Sequence, residues 1–392
     1  MATHAGTVQS KARSDIHALG RNVFGKRAHG KETAKVVHQG PLVFGEVPEH
    51  FFDNLYKDGG MDKLSVDFSL GRFPFVPMSN ELVVNAGYRA VHEGAAWLDL
   101  SATGNARGKI KIAGEDRARL LHAMTTQNVQ QMQPGDGCYL FFLNAQGRIL
   151  GDANLFCFAE YFLLDTEPET RQKLLEHLDR FIIADDVTLK DVTDSLATVS
   201  VEGPGAKELL RSFGVQLPER DHLTVFWGDR IVTRLSFSGS TGFTIFLPAA
   251  GKAAFTASLG IPEVSAEDAR VVRLEHGRPR YGEEITERYL IQETGQLQAV
   301  SLNKGCYLGQ EIVERVRSRA QIHRILRAVM VDGTAVPQPG TKLTTDAGDA
   351  GEIASAAFSP ALGKVVALAY VKTPFAEPGT ELRLGDAVAR VN

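Results

Sequence analysis

The run Lys304-Gly-Cys-Tyr-Leu-Gly-Gln-Glu-Ile-Val-Glu-Arg315 is the most informative stretch for chemistry in this 392-residue chain. Two glycines bracket Cys306, and a helix-like pattern begins near Gln310. A thiol beside a helix N-terminus sits in a positive field that favours thiolate, and Lys304 adds to that field. Such surroundings bring a thiol pKa from ~8.5 down to ~3.5–7.5. Arg315, Arg317, Arg319, Arg324 and Arg327 follow as a basic run able to attract an anionic ligand tail. The same residues also read as a small buried cysteine beside a solvated, charged helix face.

The remaining chemistry-bearing residues are sparse. Cys138, Cys157 and Cys306 contain no CxxC pair, so neither a disulfide framework nor a cysteine-built zinc site is expected, and no metal is assigned. A reducing compartment follows. Lys and Arg number 43 against 47 Asp and Glu, but residues 1–40 hold seven basic side chains against Asp15 and Glu32. That segment reads as a basic, disordered tail or as an organelle transit peptide. It has no apolar core of a signal peptide, and no apolar run reaches the ~18 residues of a membrane span. Expected localisation is therefore cytoplasmic, or the mitochondrial matrix if the tail is a transit peptide. The 43% hydrophobic and 23% charged composition excludes a disordered, collagenous or coiled-coil chain.

Several elements are readable around these residues. Residues 80–94 have helical apolar spacing and lead into a strand at Trp97–Leu100, while Gly108–Ile112 alternates as a strand. Gly114-Glu-Asp opens a helix through Leu120, Leu121 and Met124. Gly137–Leu143 reads as a buried strand, Asn144-Ala-Gln-Gly147 as a tight turn, and Arg148–Phe158 as the returning strand. A strand at Tyr161–Asp165 and a helix at Pro168–Phe181 follow, then further strand–helix alternation from Leu196 to Leu259. No repeat of fixed period is visible, and Pro41–Pro77 has no readable element. The last ~65 residues are short β-like runs cut by Gly/Pro turns, the pattern of a small barrel. Expected boundaries are a tail at 1–45, a body at 46–324 and a barrel at 325–392.

Lys304-Gly-Cys-Tyr-Leu-Gly-Gln-Glu311 resembles the K-G-C-[FY]-x-G-Q-E signature of the YgfZ-type folate-binding proteins, relatives of the aminomethyltransferase (T-protein) of the glycine cleavage system. The resemblance extends over roughly 80–392. Leu143-Asn-Ala-Gln-Gly-Arg-Ile-Leu-Gly-Asp152 is similar to the superfamily hairpin, Ala269–Ile285 to its R-[LI]-E-x-G-x-P-x-[YF]-G block, and Tyr88–Ser101 to its opening block. Gly351–Pro360 resembles its C-terminal barrel. The implied fold is α+β, a T-protein-like folate-binding body around a central cavity followed by a small C-terminal β-barrel.

The resemblance implies tetrahydrofolate, or another reduced folate, as ligand. Asp152 matches the hairpin aspartate that faces the folate, and a carboxyl there suits acid–base work at a pterin amine. Asp165 stands where the relatives have an asparagine. Arg273, Tyr281 and Lys304 are the other expected folate-binding residues, Arg273 being as readable as a structural ion pair with Glu275 or Glu283. His276 reads as a surface histidine. One departure weakens the match: two acidic positions of the transferases, one of which holds the aminopyrimidine edge, are Ser240 and Thr244 here.

The function implied is support of iron–sulfur cluster assembly or repair, including for tRNA-modifying enzymes, through Cys306 as reactive thiol. Its partners would be a reduced folate and iron–sulfur client proteins, with the chain a monomer and an accessory factor rather than a turning-over enzyme. A folate-dependent aminomethyltransferase is the first alternative. A nucleic-acid-binding module using the basic runs is the second; the net charge of −4 and the lack of interleaved aromatics count against it.

Overall fold

The computed structural model describes residues 85–392 except 105, 320 and 321. The expected tail at 1–45 and the Pro41–Pro77 stretch lie outside these residues.

Helix α1 (Ala86–Glu93) is capped by the Asn85 side chain, which accepts from the Gly87 N–H at 3.1 Å, and it leads into β1 (Ala96–Asp99). Strand β2 (Gly108–Ala113), helix α2 (Arg117–Met124), the meander β3 (Gly137–Leu143), β4 (Ile149–Cys157) and β5 (Tyr161–Thr166), helix α3 (Arg171–Asp179) and β6 (Thr188–Asp191) follow. Then come β7 (Leu196–Glu202), α4 (Ala206–Ser212), β8 (Thr224–Trp227), β9 (Arg230–Thr233), β10 (Gly242–Pro248) and α5 (Lys252–Ser258). Helices α6 (Ala266–Glu275), α7 (Ile291–Thr294) and α8 (Gln310–Arg319) precede β11 (Arg324–Val331). The chain finishes with β12 (Lys342–Thr345), β13 (Gly348–Ser359), β14 (Lys364–Lys372), β15 (Glu381–Leu384) and β16 (Ala387–Val391).

One five-stranded sheet has the order β3-β4-β5-β2-β6 and the other β8-β9-β10-β7-β1. These are the same arrangement. In each, a strand and a helix precede a three-strand meander, the first strand pairs with the last strand of the meander, and a fifth strand covers its other side. In the second sheet that fifth position is filled by β1, from upstream in the chain. The repeat is one of topology, so no fixed period in the amino-acid pattern betrays it.

Strand alternation builds four layers. Ile110, Ile112, Ala153, Leu155 and Leu164 of the first sheet pack on Leu120, Leu121, Leu174 and Leu178 of α2 and α3. Val199, Val201, Val232 and Ile245 of the second sheet pack on Leu210 and Phe255 of α4 and α5. The opposite faces meet each other through Phe156, Leu163, Ile231 and Phe246, the Phe156 and Phe246 rings lying edge to face at 5.5 Å. Strands β11–β16 close into a barrel of order β11-β14-β13-β12-β15-β16, its interior filled by small aliphatic residues such as Val365, Ala367, Ala369 and Val371. The architecture is thus a mixed α and β body followed by a six-stranded barrel. Glu275 at the end of α6 ties body to barrel, accepting from Tyr88 of α1 and from Ser359 of β13 at 2.6 Å.

Candidate functional site

Between the two sheets the apolar layer gives way to a polar one. Strand β4 sends Asp152 and Asn154 to the same face as Phe156, and β2 and β5 add Lys109 and Asp165, which are register partners. From the second sheet Thr198, Ser200, Thr233 and Thr244 lie buried, with Lys109 Nζ donating across to Thr198 at 3.2 Å. An interior of this composition costs free energy unless its groups are paired, and most of them are.

Arg107, just before β2, is the hub. Its Nε donates to both oxygens of Asp165 at 3.1 and 3.0 Å, and its Nη1 donates to Glu167. The guanidinium also stacks over the Phe237 ring at 4.5 Å. The second Glu167 oxygen accepts from Arg280 Nε at 2.9 Å, and Arg280 reaches on to Glu169 at 2.6 Å. Asp165 further accepts from Asn154 Nδ2 at 3.0 Å, and Asn154 Oδ1 lies 3.1 Å from His222 Nε2.

Asp152 stands apart from this saturated chain. Its Oδ2 accepts from the Tyr139 hydroxyl at 2.6 Å. Burial pushes its carboxyl up to about 7, and the neighbouring Glu167 charge pushes the same way; Tyr139, Arg107 and Arg280 oppose but do not cancel them. Glu167 ends on the other side. Burial would raise it, but Arg107 and Arg280 outweigh burial and hold it below the usual range. Two neighbouring buried carboxyls therefore divide, Glu167 held down by its arginines and Asp152 pushed up by burial. Lys109 is likewise drawn down by burial, to about 8.

The other expected site residues occupy different positions. Asp165 belongs to the network, gripped by Arg107. Tyr281 lies in the aromatic and aliphatic cluster with Phe141, and its hydroxyl feels the Asp152 charge. Arg273 spends its fork on Glu283 and Glu284, at 2.5 to 3.0 Å, and on the Arg278 carbonyl. It shapes the 278–284 loop that presents Arg280 and Tyr281. Lys304 is buried, and its ammonium donates to the carbonyls of His122, Thr125 and Gln127 at 2.5, 2.5 and 2.8 Å, capping the end of α2. Burial draws it down to about 7, while three carbonyl acceptors call for all three of its protons.

Cys306 is exposed, whereas Cys157 is buried and burial pushes the half-buried Cys138 up to about 12. The segment that carries Cys306 is seated on the β3–β4 turn by two left-handed glycines. A Cβ at Gly309 (φ 83°) would stand 2.6 Å from the Asn144 carbonyl, and one at Gly147 (φ 69°) would stand 2.7 Å from Ile312. One hairpin thus holds the thiol segment at its turn and Asp152 on its inner face. The substituted position Thr244 donates to the Leu235 carbonyl at 2.9 Å. Beside it Glu202 is saturated, accepting from the hydroxyls of Ser200, Ser236 and Ser238 and from the N–H groups of Phe237 and Ser238. Reading the sequence missed Arg107, Tyr139, Asn154, Glu167, His222 and Arg280.

Residues 43–304 match the GCVT N-terminal domain, and residues 324–390 match the glycine cleavage T-protein C-terminal barrel domain. The chain belongs to the glycine cleavage T-protein family. Among similar proteins, a chloroplastic protein of Arabidopsis thaliana with a provisional transferase name is 26% identical over 72% of this chain and 68% of its own length. Aminomethyltransferase of Streptomyces coelicolor is 29% identical over 74% of this chain and 82% of its own. The crystal structure of glycine cleavage system aminomethyltransferase T from Bartonella henselae superposes with a TM-score of 0.71 at 21% identity, covering 78% of this chain and 87% of that one. This shared fold puts the T-protein architecture around the polar layer just described.

Proposed function

We propose that this T-protein-family chain binds a reduced folate in the inter-sheet polar layer and that Asp152 exchanges a proton with the bound ligand. The observation that carries the reading is the buried Asp152 carboxyl, pushed up to about 7 beside a Glu167 carboxyl that Arg107 and Arg280 hold below the usual range. The residues present fit such a ligand: Asp152 is not part of the saturated chain, and the Thr233 hydroxyl of the facing sheet is buried without a partner. Tetrahydrofolate supplies basic ring and side-arm nitrogens that carry one-carbon units. Asp152 would accept or return a proton at such a nitrogen, Tyr139 fixes the orientation of its carboxyl, and Tyr281 closes the neighbouring wall. Asp165, Arg273 and Lys304 support the ligand only indirectly, since their polar groups are committed within the protein.

With folate held there, the exposed Cys306, on the segment seated against the turn of the same hairpin, acts as the reactive thiol in support of iron–sulfur enzymes, those that modify tRNA included. A lone thiolate cannot retain a cluster that normally needs four ligands, so the contact is transient or shared with a client. The second reading is transfer of an aminomethyl group to the folate, favoured by the names of the similar proteins. Ser240 and Thr244 in place of acids, and Cys306 with Gln310 in place of the transferase pattern, count against it. One comparison separates the two. Methylenetetrahydrofolate and ammonia formed from an aminomethyl-lipoyl protein would establish the transferase; rescue of iron–sulfur enzyme activity that requires Cys306, without that turnover, would establish the accessory role.

A further inference from the structure

Among the described residues, nineteen glycines have left-handed backbone angles and a single other residue does, His222 at φ 62°. Glycine would adopt that conformation without strain, and the chain uses it at every comparable position. The loop is held in place by its backbone: the His222 N–H donates to the Arg234 carbonyl at 2.9 Å. A non-glycine residue here carries a backbone cost, so the contacts of the imidazole are where an offsetting gain is to be sought.

Its chemistry is fixed from behind. Asp165, gripped by Arg107, can only accept, so Asn154 turns its NH2 to Asp165 and its carbonyl oxygen to His222. That oxygen also only accepts, so the His222 proton resides on Nε2. Nδ1 is left with a lone pair. Burial draws the imidazole down to about 4, against the pull of Asp221 and with the help of Arg278, so the ring is uncharged at neutral pH. Tyr139 is the register partner of Asn154, so the Tyr139–Asp152 pair and the Asn154–His222 pair lie side by side on one face of the β3–β4 hairpin.

We propose that His222 is a ligand-binding residue whose Nδ1 accepts a hydrogen bond from a ring N–H or amino group of the heteroaromatic ligand. The assignment rests on the folate reading above.

Tetrahydrofolate titration of the full chain, wild type against His222→Gly, tests it together with thermal unfolding. Glycine relieves the backbone but leaves Asn154 Oδ1 without its donor, two opposed effects that keep Tm close to wild type, while loss of the Nδ1 acceptor weakens binding about tenfold or more. Nitrogen-15 spectra of the wild type add a direct readout: on adding tetrahydrofolate the Nδ1 resonance of His222 moves and that of Nε2 holds. Affinity of His222→Gly within about twofold of wild type overturns the proposal. So does a clear fall in Tm, which would make the imidazole a structural prop. No binding by the wild type would sink the folate reading, and this inference with it.

Discussion

Replacing Asp152 by asparagine should stabilise the protein, and by an amount that depends on pH. A carboxyl that ionises near 3.8 in the unfolded chain and at about 7 in the folded one binds its proton more tightly when folded. Below about pH 4 both states are protonated and the group costs nothing; as pH rises towards 7 the unfolded state gains, and above about 8 the penalty is constant. At about 1.36 kcal/mol per pH unit the full gap is about 4 kcal/mol, and about 2–4 is expected because Glu167 shares in the titration. Urea unfolding of wild type and Asp152→Asn at about pH 4.5, 6 and 8 gives the comparison directly. The stability difference should open across that interval in favour of the variant. A difference that is the same at both ends would mean that packing, not ionisation, separates the two proteins. A less stable variant at the alkaline end would refute the placement of Asp152 as a strained, proton-exchanging carboxyl.

Three further outcomes follow from the same geometry. Glu167→Gln removes the anion beside Asp152 and frees two arginines, so the Asp152 carboxyl should titrate about one pH unit lower or more, read by carbon-13 NMR of labelled aspartate; an unmoved midpoint would contradict the division of roles. Lys304→Met leaves the three carbonyls at the end of α2 without their donor and should cost about 2–4 kcal/mol in chemical unfolding; a loss under about 0.5 kcal/mol would show that water replaces the ammonium. Cys306→Ala, at an exposed site, should leave stability within about 0.5 kcal/mol and tetrahydrofolate affinity unchanged while abolishing rescue of iron–sulfur enzyme activity; full rescue would remove the thiol from the mechanism.

Local pattern made the elements of the body legible. The β3–β4 hairpin, its Asn144–Gly147 turn, β5 and the helix that starts at Gln310 stand where alternation, turn residues and helical spacing place them. Turn punctuation likewise announced the barrel. Pairing order was not legible, because β2 joins the meander through β5 rather than through its neighbour β3, a choice made by packing between layers. The ion network was hidden for a related reason. Arg107 meets Asp165 across 58 residues, His222 meets Asn154 across 68, and Arg280 meets Glu167 across 113, separations at which no spacing rule operates. One signal was available: Asp152 and Asn154 alternate with the apolar residues of β4 on a strand that is buried on both faces. Arg273 had two readings in the sequence, and the structure pairs it with Glu283 and Glu284.

Calorimetric titration with tetrahydrofolate at about pH 7, wild type beside Asp152→Ala, bears most directly on the inter-sheet site. Saturable binding by the wild type and its loss, or at least a tenfold weakening, in Asp152→Ala is the expected result. Equal affinity in the two proteins, or none in the wild type, would contradict it.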